Sequence, residues 1–239
     1  MLANTTLFVC LLTITPIGSA SAQSSGYIYW VEPTKIRRAN LDGTGVQDLV
    51  AGITNGTGIA LDLTNNHIYW LEYNNTTAGK IRRANLDGSN PQDILTTVVL
   101  NALDIALDLT NSHIYWNTNL VNLFQNWAIR RTNLDGTGTV MNLIPAVANS
   151  VGGIALDLTN SHIYWLEASG KVRRANLDGT GVQDLITGVS GGRGIALDLT
   201  NNHIYWNEQG SSKIRRANLD GTGVQDLITG VTQGRGIAL

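Results

Sequence analysis

The stretch GRGIALDLTNNHIYW, Gly192–Trp206, decides the fold, because its parts recur along the whole chain. The ending IYW occurs five times, at intervals of 40, 46, 49 and 41 residues, and its tryptophans are Trp30, Trp70, Trp116, Trp165 and Trp206. The segment IAL also occurs five times, beginning at Ile59, Ile105, Ile154, Ile195 and Ile237. RRANLDG or RRTNLDG follows each IYW. The chain is therefore built from five copies of one unit.

Each unit contains four short apolar runs separated by turn residues. HIYW and KIRRANL are rich in β-branched and aromatic residues, VQDLI alternates, and GIALD is small and apolar, so none has helical spacing. LDGTG and DLTNN join these runs, and Asp-Gly and Asp/Asn are residues that favour tight turns. Four antiparallel strands in a unit of about 40–45 residues predict an all-β fold, a five-bladed β-propeller of four-stranded blades.

The two ends of the repeats complement each other. The C-terminal GRGIAL, Gly234–Leu239, stops after a first strand, and GYIYW, Gly26–Trp30, begins at a second strand. We predict that the C-terminal strand completes the first blade, so that pairing of the N- and C-terminal segments closes the ring and leaves no open edge. The alternative is that the sequence is a fragment of a longer array.

Residues 1–22 differ from the repeats. LFVCLLTITPIGSASA is apolar and ends in small residues, which is typical of a secretory signal cleaved before Gln23. The predicted domains are a signal peptide, 1–22, and a β-propeller, 23–239. The protein is expected to be secreted or extracytoplasmic, which means the cell envelope or periplasm if the source is bacterial, with no membrane insertion of the mature chain. Cys10 is the only cysteine, so the mature chain would have no disulfide.

The order IYW, IRRANLDG, GIALD resembles the YWTD repeats, the class B repeats of the low-density lipoprotein receptor family. The resemblance extends over the predicted mature chain and implies a β-propeller that binds proteins outside the cytoplasm. The sequence departs from the family in three respects. VE, LE, NT, LE and NE follow Tyr-Trp instead of Thr-Asp, five units stand in place of six, and cysteine-rich modules are absent.

Residues that recur in every unit are predicted to be structural. Tyr69 and Trp70 should point to opposite faces of their strand and be buried between neighbouring blades. One arginine of each RR pair should also point between blades, where it needs a carboxylate partner. The candidate partners are the Asp of LDG and the glutamates Glu32, Glu72, Glu167 and Glu208. A formal net charge of −2 also argues against nucleic acid as a partner.

The repeated histidines and aspartates suggest turns rather than a metal site. The histidines, His67, His113, His162 and His203, occupy equivalent positions that should lie too far apart to share an ion. The aspartates Asp62, Asp108, Asp157 and Asp198 end the inner strands next to Thr-Asn turns, although a ring of carboxylates around a cation is the alternative. We expect no cofactor and no metal.

The repeats differ in the connections from strand two to strand three and from strand four to the next blade. Because strand direction alternates, these variable connections should lie on one face, as a binding face does; loop drift is the alternative. NTNLVNLFQNWA, 117–128, should expose Phe124 and Trp127 or plug the channel. The residues predicted to contact a ligand on this face are Tyr73, Asp104, Phe124, Trp127, Arg193 and Arg235.

The favoured function is a monomeric binding propeller whose partner is an extracellular protein or glycan. The alternative is a propeller enzyme, of lactonase, glycosidase or lyase type, with its site at the channel mouth. Such an enzyme needs convergent acids, a histidine or a metal, and Asp104 is the one unusual acid predicted there. No catalytic residue is assigned.

Overall fold

A computed structural model describes residues 8–11, 26–73, 79–99, 102–119, 127–147, 150–231 and 237. Every secondary-structure element within these residues is a β-strand, and the strands form five four-stranded antiparallel sheets arranged as a β-propeller. The predicted fold class and number of blades are thus confirmed. No helix in the part of the chain that the structure describes is long and apolar enough to cross a membrane.

The strands follow one another through the blades in chain order. Blade one contains β1 (Phe8–Leu11), β2 (Tyr27–Glu32), β3 (Lys35–Asn40) and β4 (Gln47–Ala51). Blade two contains β5 (Gly56–Asp62), β6 (His67–Glu72), β7 (Gly79–Asn85) and β8 (Gln92–Val99). Blade three contains β9 (Ile105–Asp108), β10 (His113–Asn119), β11 (Trp127–Asn133) and β12 (Met141–Val147). Blade four contains β13 (Val151–Asp157), β14 (His162–Glu167), β15 (Lys171–Asn176) and β16 (Gln183–Thr187). Blade five contains β17 (Gly192–Asp198), β18 (His203–Glu208), β19 (Lys213–Asn218) and β20 (Gln225–Thr229).

The first strand of blade one is not the predicted one. Phe8–Leu11 pairs with β2, and Val9 lies opposite Trp30 just as the Ile of IAL lies opposite Trp in later blades. Val-Cys-Leu has the same order of large, small and large apolar residues as Ile-Ala-Leu, so it can occupy the same position. β3 takes the other edge of β2, so Phe8–Leu11 occupies the position beside β2 that was predicted for the C-terminal segment. Residues 238–239 of that segment lie outside the described residues.

The aromatic pair of the repeat packs as predicted. Tyr69 joins a hydrophobic cluster with blade three, and Trp70 joins the cluster with blade one. Both side chains are fully buried. Successive residues of a strand point to opposite faces, so one Tyr-Trp pair fills the interface on either side of its blade.

The boundary between blades five and one is packed differently from the other four. Hydrophobic clusters of the described residues join blade one to two, two to three, three to four and four to five. None of these clusters joins blade five to blade one. Ile186 of blade four is 5% exposed, whereas Ile228, at the same repeat position in blade five, is 52% exposed. The four interior boundaries therefore hold the hydrophobic core of the described structure.

The repeated turns follow from their polar residues. In LDGTG, the Asp42 carboxylate accepts hydrogen bonds from the Thr44 N–H and hydroxyl, while Gly43 takes a φ of +81°. In DLTNN, the carboxylate of the buried Asp62 accepts hydrogen bonds from the backbone N–H and from the side-chain amide of Asn65. These bonds support the predicted turn role of the aspartates that end the inner strands.

Candidate functional site

The two ends of the propeller have different connections. One end, called the loop face here, is where strand two ends and strand three begins in every blade. The described residues of these connections, which differ in length, are 33–34, 73, 168–170 and 209–212. The opposite end, called the turn face, carries the LDGTG and DLTNN turns. The antiparallel pairing of every blade places all connections of one kind at the same end, so the predicted separation of variable and constant connections is confirmed.

Asp104 lies at the inner edge of the loop face and connects two blades. Its carboxylate accepts the N–H of Ile105 at 3.0 Å and the N–H of Ile154, in blade four, at 2.9 Å. Burial among protein atoms raises the pKa of Asp104 to about 6, although these two N–H donors pull it down. Each carboxylate oxygen accepts one N–H group, so Asp104 connects the inner strands of blades three and four.

Asn117 makes a second connection at the same place, which the sequence did not predict. Its side-chain oxygen accepts the N–H groups of Leu103 and Asp104, and its amide nitrogen donates to the carbonyls of Val151 and Gly152 in blade four. One feature of the sequence could have indicated this connection. Asn-Thr follows Tyr-Trp in the third unit alone, and the other units carry VE, LE or NE at this position.

The inner strands approach one another closely beside Asp104. A Cβ atom on Gly153 would lie 3.1 Å from the carbonyl oxygen of Arg193, and one on Gly58 would lie 3.0 Å from the Cα of Asp104. Glycine permits this backbone contact. The inner strands are therefore in backbone contact beside Asp104.

The other predicted contact residues are dispersed. The Arg193 side chain is exposed and donates to the Gln209 side chain, while Tyr73 is half-buried and its carbonyl accepts the Asn55 amide. Trp127 is 7% exposed and packs in the core between blades three and four, because it begins strand β11. Phe124 and Arg235 lie outside the described residues. Asp104 and the Arg193 backbone both lie beside glycines of the inner strands, but Trp127 is buried, so the alternative in which its ring is exposed does not hold.

The predicted arginine–glutamate pairs form along the outer part of the loop face. Glu72 accepts the Trp70 indole N–H at 2.8 Å and an Arg82 N–H at 3.1 Å. Equivalent ion pairs join Arg37 to Glu32, Arg173 to Glu167 and Arg215 to Glu208. Each of these arginines also has a second carboxylate within reach, on strand four. For Arg82 this is Asp93, the Asp that follows Gln in the fourth strand, rather than the Asp of LDG. The pairing anchors strand two to strands three and four.

The turn face contains clefts that sequence reasoning treated only as scaffold. One cleft of about 620 Å³ lies between blades one and two, and its polar and aromatic lining includes Tyr27, Tyr29, Arg38, Asn66, Asn85 and Asp87. A second cleft of about 480 Å³ lies between blades four and five, lined in part by His162, Tyr164, Arg174, Asn202, Asn218 and Asp220. These two sets occupy the same repeat positions, except that Tyr27 replaces the histidine. A single unit could not reveal them, since each cleft needs two blades.

The second arginine of each RR pair forms the wall of such a cleft. Arg38 donates to the carbonyl of Leu86 in the next blade, and its guanidinium lies 4.3 Å from the Tyr27 ring. Hydrogen bonds from Ser89 lower the pKa of Asp87, and the charge of Arg38, on the other side of the blade boundary, lowers it further. In blades one to four, one arginine of the pair thus points toward the neighbouring blade and the Asp of its LDG turn, as predicted.

The histidines pack beside the same clefts. The His162 ring meets the Tyr164 ring edge-on, with 6.2 Å between centroids. Burial, helped by the charge of Arg174, lowers the pKa of His162. The imidazole is therefore neutral at pH 7 and offers the cleft one donor and one acceptor.

The fold and the repeat define a β-propeller repeat protein. No family model and no curated protein matches the sequence. Among solved structures, the chain is similar to one from a nidogen/laminin complex, with a TM-score of 0.82, 18% identity and coverage of 97% of this chain and 83% of that one. It is also similar to a putative TolB from Agrobacterium tumefaciens, with a TM-score of 0.70, 12% identity and coverage of 84% and 76%. A gluconolactonase from Xanthomonas campestris gives a TM-score of 0.68 at 15% identity, covering 89% and 75%. At these identities the similarity shows the fold alone.

Proposed function

We propose that this chain is an extracytoplasmic binding propeller that recognises a protein ligand through the loop face. The observation that carries the proposal is the segregation of the variable connections to that face, while the turns opposite them stay constant. A rigid scaffold that presents differing loops on one side is the usual arrangement of a binding surface. The similar propeller solved in a nidogen/laminin complex supports a protein as the ligand class. The YWTD-like order of the repeat supports the same class.

Export is part of the proposal. Residues 1–22 have the composition of a secretory signal, and the repeats contain no cysteine, so cleavage before Gln23 would give a disulfide-free mature chain. Intact-mass measurement of the protein recovered from its natural compartment should give a chain beginning at Gln23. A mass that retains Met1 would remove this part of the proposal.

The enzymatic alternative rests on Asp104 and has less support. A pKa of about 6 would suit a general acid. However, both oxygens of this carboxylate accept main-chain N–H groups and hold two strands together. The geometry therefore favours a structural role for Asp104.

The binding proposal can be tested on an array of secreted proteins. We expect Arg193→Ala to weaken capture of the protein ligand several-fold, because this exposed side chain lies on the loop face. Val46→Ser is the control, since Val46 is also exposed but lies on the turn face. Trp127→Ala is unsuitable, because it would open a cavity in the core. Equal losses from Arg193→Ala and Val46→Ser would contradict binding at the loop face.

A further inference from the structure

The turn-face clefts are a property of the repeat rather than of one blade. At each of four successive boundaries the Asp of an LDG turn has a lowered pKa, chiefly through its own Ser or Thr partner and further through an arginine of the preceding blade. The four pairs are Arg38–Asp87, Arg83–Asp135, Arg131–Asp178 and Arg174–Asp220. The same Arg–Asp pair is therefore presented four times around the described propeller, and two of these boundaries hold the clefts described above.

The chemistry of the clefts suits a neutral, hydroxyl-rich ligand. Arginine and tyrosine donors stand on one wall, and Asp87 or its equivalent provides acceptors on the other. The two charges offset each other, and in the second cleft the lowered pKa of His162 favours its neutral form. A hydroxyl group both donates and accepts, so it can satisfy both walls. A polyanion would meet a carboxylate for every arginine.

Unsatisfied polar atoms occur at these same repeat positions. The fully buried Tyr69 has a hydroxyl without a well-formed hydrogen bond, although Arg83 lies beside it. Among the described residues, Nδ1 of His113 and Nε of Arg38 also lack partners. Polar groups at the cleft positions are therefore not all satisfied within the fold, which leaves hydrogen-bonding capacity beside the clefts.

We propose that these clefts are saccharide-binding sites and that the chain binds neutral glycans multivalently through its turn face. Volumes of about 480 and 620 Å³ lie in the size range of small-molecule sites. Several weak equivalent sites on one rigid molecule bind a glycan-coated surface far more tightly than a single sugar, because the second contact is intramolecular. This site is separate from the loop face and does not depend on the function proposed for it.

One position allows the clefts to be altered with little disturbance of the fold. The last residue of each DLTNN or DLTNS turn has a positive φ: Asn66 at 58°, Ser112 at 56°, Ser161 at 55° and Asn202 at 57°. Asn66 and Asn202 line the two clefts described above. Glycine adopts this conformation without strain, so replacement by Gly removes the side chain and keeps the turn.

The test measures binding of residues 1–239 to surfaces coated with mannan, galactan, chitotetraose or heparin. We expect the native chain to bind at least one neutral surface, and the matching free monosaccharide to compete at millimolar concentration. The fourfold variant Asn66→Gly, Ser112→Gly, Ser161→Gly and Asn202→Gly should lose at least tenfold in surface affinity and keep its melting temperature within a few degrees.

Two matched variants locate the binding. Asn55→Gly makes the same chemical change at a positive φ of 45° on the loop face, and Arg193→Ala removes an exposed loop-face side chain. Both should bind the neutral glycan normally. The proposal is overturned by binding to heparin alone, by no binding to any neutral surface, or by a loss of binding in either loop-face variant equal to that of the fourfold variant.

Discussion

At the scale of single residues, the third blade shows how a departure from the repeat changes the chemistry. Gly58, Gly153 and Gly194 precede the IAL of blades two, four and five, and Asp104 stands at this position in blade three. Its carboxylate reaches the N–H of Ile154 at a place where the glycines only allow close packing. The substitution thus converts a simple contact into a polar connection between blades.

Asp104→Asn tests the energetic consequence of this burial. The folded-state pKa of about 6 exceeds the ordinary value of 3.8, so the folded chain binds the proton more tightly than the unfolded chain. The contribution of Asp104 to the free energy of unfolding therefore falls as the pH rises from about 4 to 6 and is constant above that. Asparagine does not titrate. The variant should gain on the order of 1–2 kcal/mol relative to the native chain between pH 4 and pH 7.5.

Urea unfolding of both chains at a series of pH values measures this difference. Asp178→Asn is the control with the opposite sign, because the Thr180 hydrogen bonds lower the pKa of Asp178. That variant should instead lose stability relative to the native chain as the pH rises through the acid range up to about 4. A difference between Asp104→Asn and the native chain that does not vary with pH would show that the Asp104 carboxylate is not destabilised by burial.

At the scale of elements, each blade depends on the next for its outer strand. The fourth strand adds an apolar side chain to the following interface, as Val50 does for blade two and Ile186 for blade five. Blade five has the same sequence in this strand, QDLIT, yet β20 is exposed along its whole length. Identical elements therefore differ in stability because of their neighbours alone.

Ile186→Ala and Ile228→Ala make this comparison with one substitution at two equivalent positions. Ile186 is buried between blades four and five, so its truncation should lower the free energy of unfolding by about 2–4 kcal/mol. Ile228 is about half exposed, and its truncation should cost less than about 1 kcal/mol. Denaturant titration of the two variants measures both values. Equal losses would show that blade five packs against blade one in solution as the other blades pack against each other.

The repeated pattern of the sequence predicted the features that every unit shares, and it missed those that depend on how two particular units are placed. The turns at Asp42 and Asp62, the burial of Trp70 and the pair of Arg82 with Glu72 all follow from residues a few positions apart or on adjacent strands. The clefts, the bonds of Asn117 and the burial of Trp127 require two blades in their relative positions. The first strand of blade one was missed for another reason. Val-Cys-Leu and Ile-Ala-Leu have the same order of large and small apolar residues, so the pattern does not decide which segment pairs with β2.

At the scale of the whole molecule, the first strand of blade one links the fold to export. Strand β1, Phe8–Leu11, lies within the proposed signal peptide, so cleavage before Gln23 would remove it and expose the edge of β2. An exposed strand edge carries unpaired backbone groups and lowers the cooperativity of its sheet. The N-terminal segment therefore contributes to stability in the full chain, independently of any role in targeting.

Two truncations separate the contributions of the chain ends. Removal of residues 1–22 should lower the free energy of unfolding by about 2–3 kcal/mol, through the loss of the β1–β2 pairing. In a domain of this size, that corresponds to a fall of about 5–10 °C in melting temperature. Removal of 237–239 should leave the melting temperature of the full chain unchanged, since β2 already has a partner on each edge. Val9→Pro in the full chain is the companion variant, because proline disrupts the ladder without shortening the chain. If the C-terminal truncation lowered the melting temperature and neither N-terminal change did, the C-terminal segment, rather than Phe8–Leu11, would be the strand that completes blade one in solution.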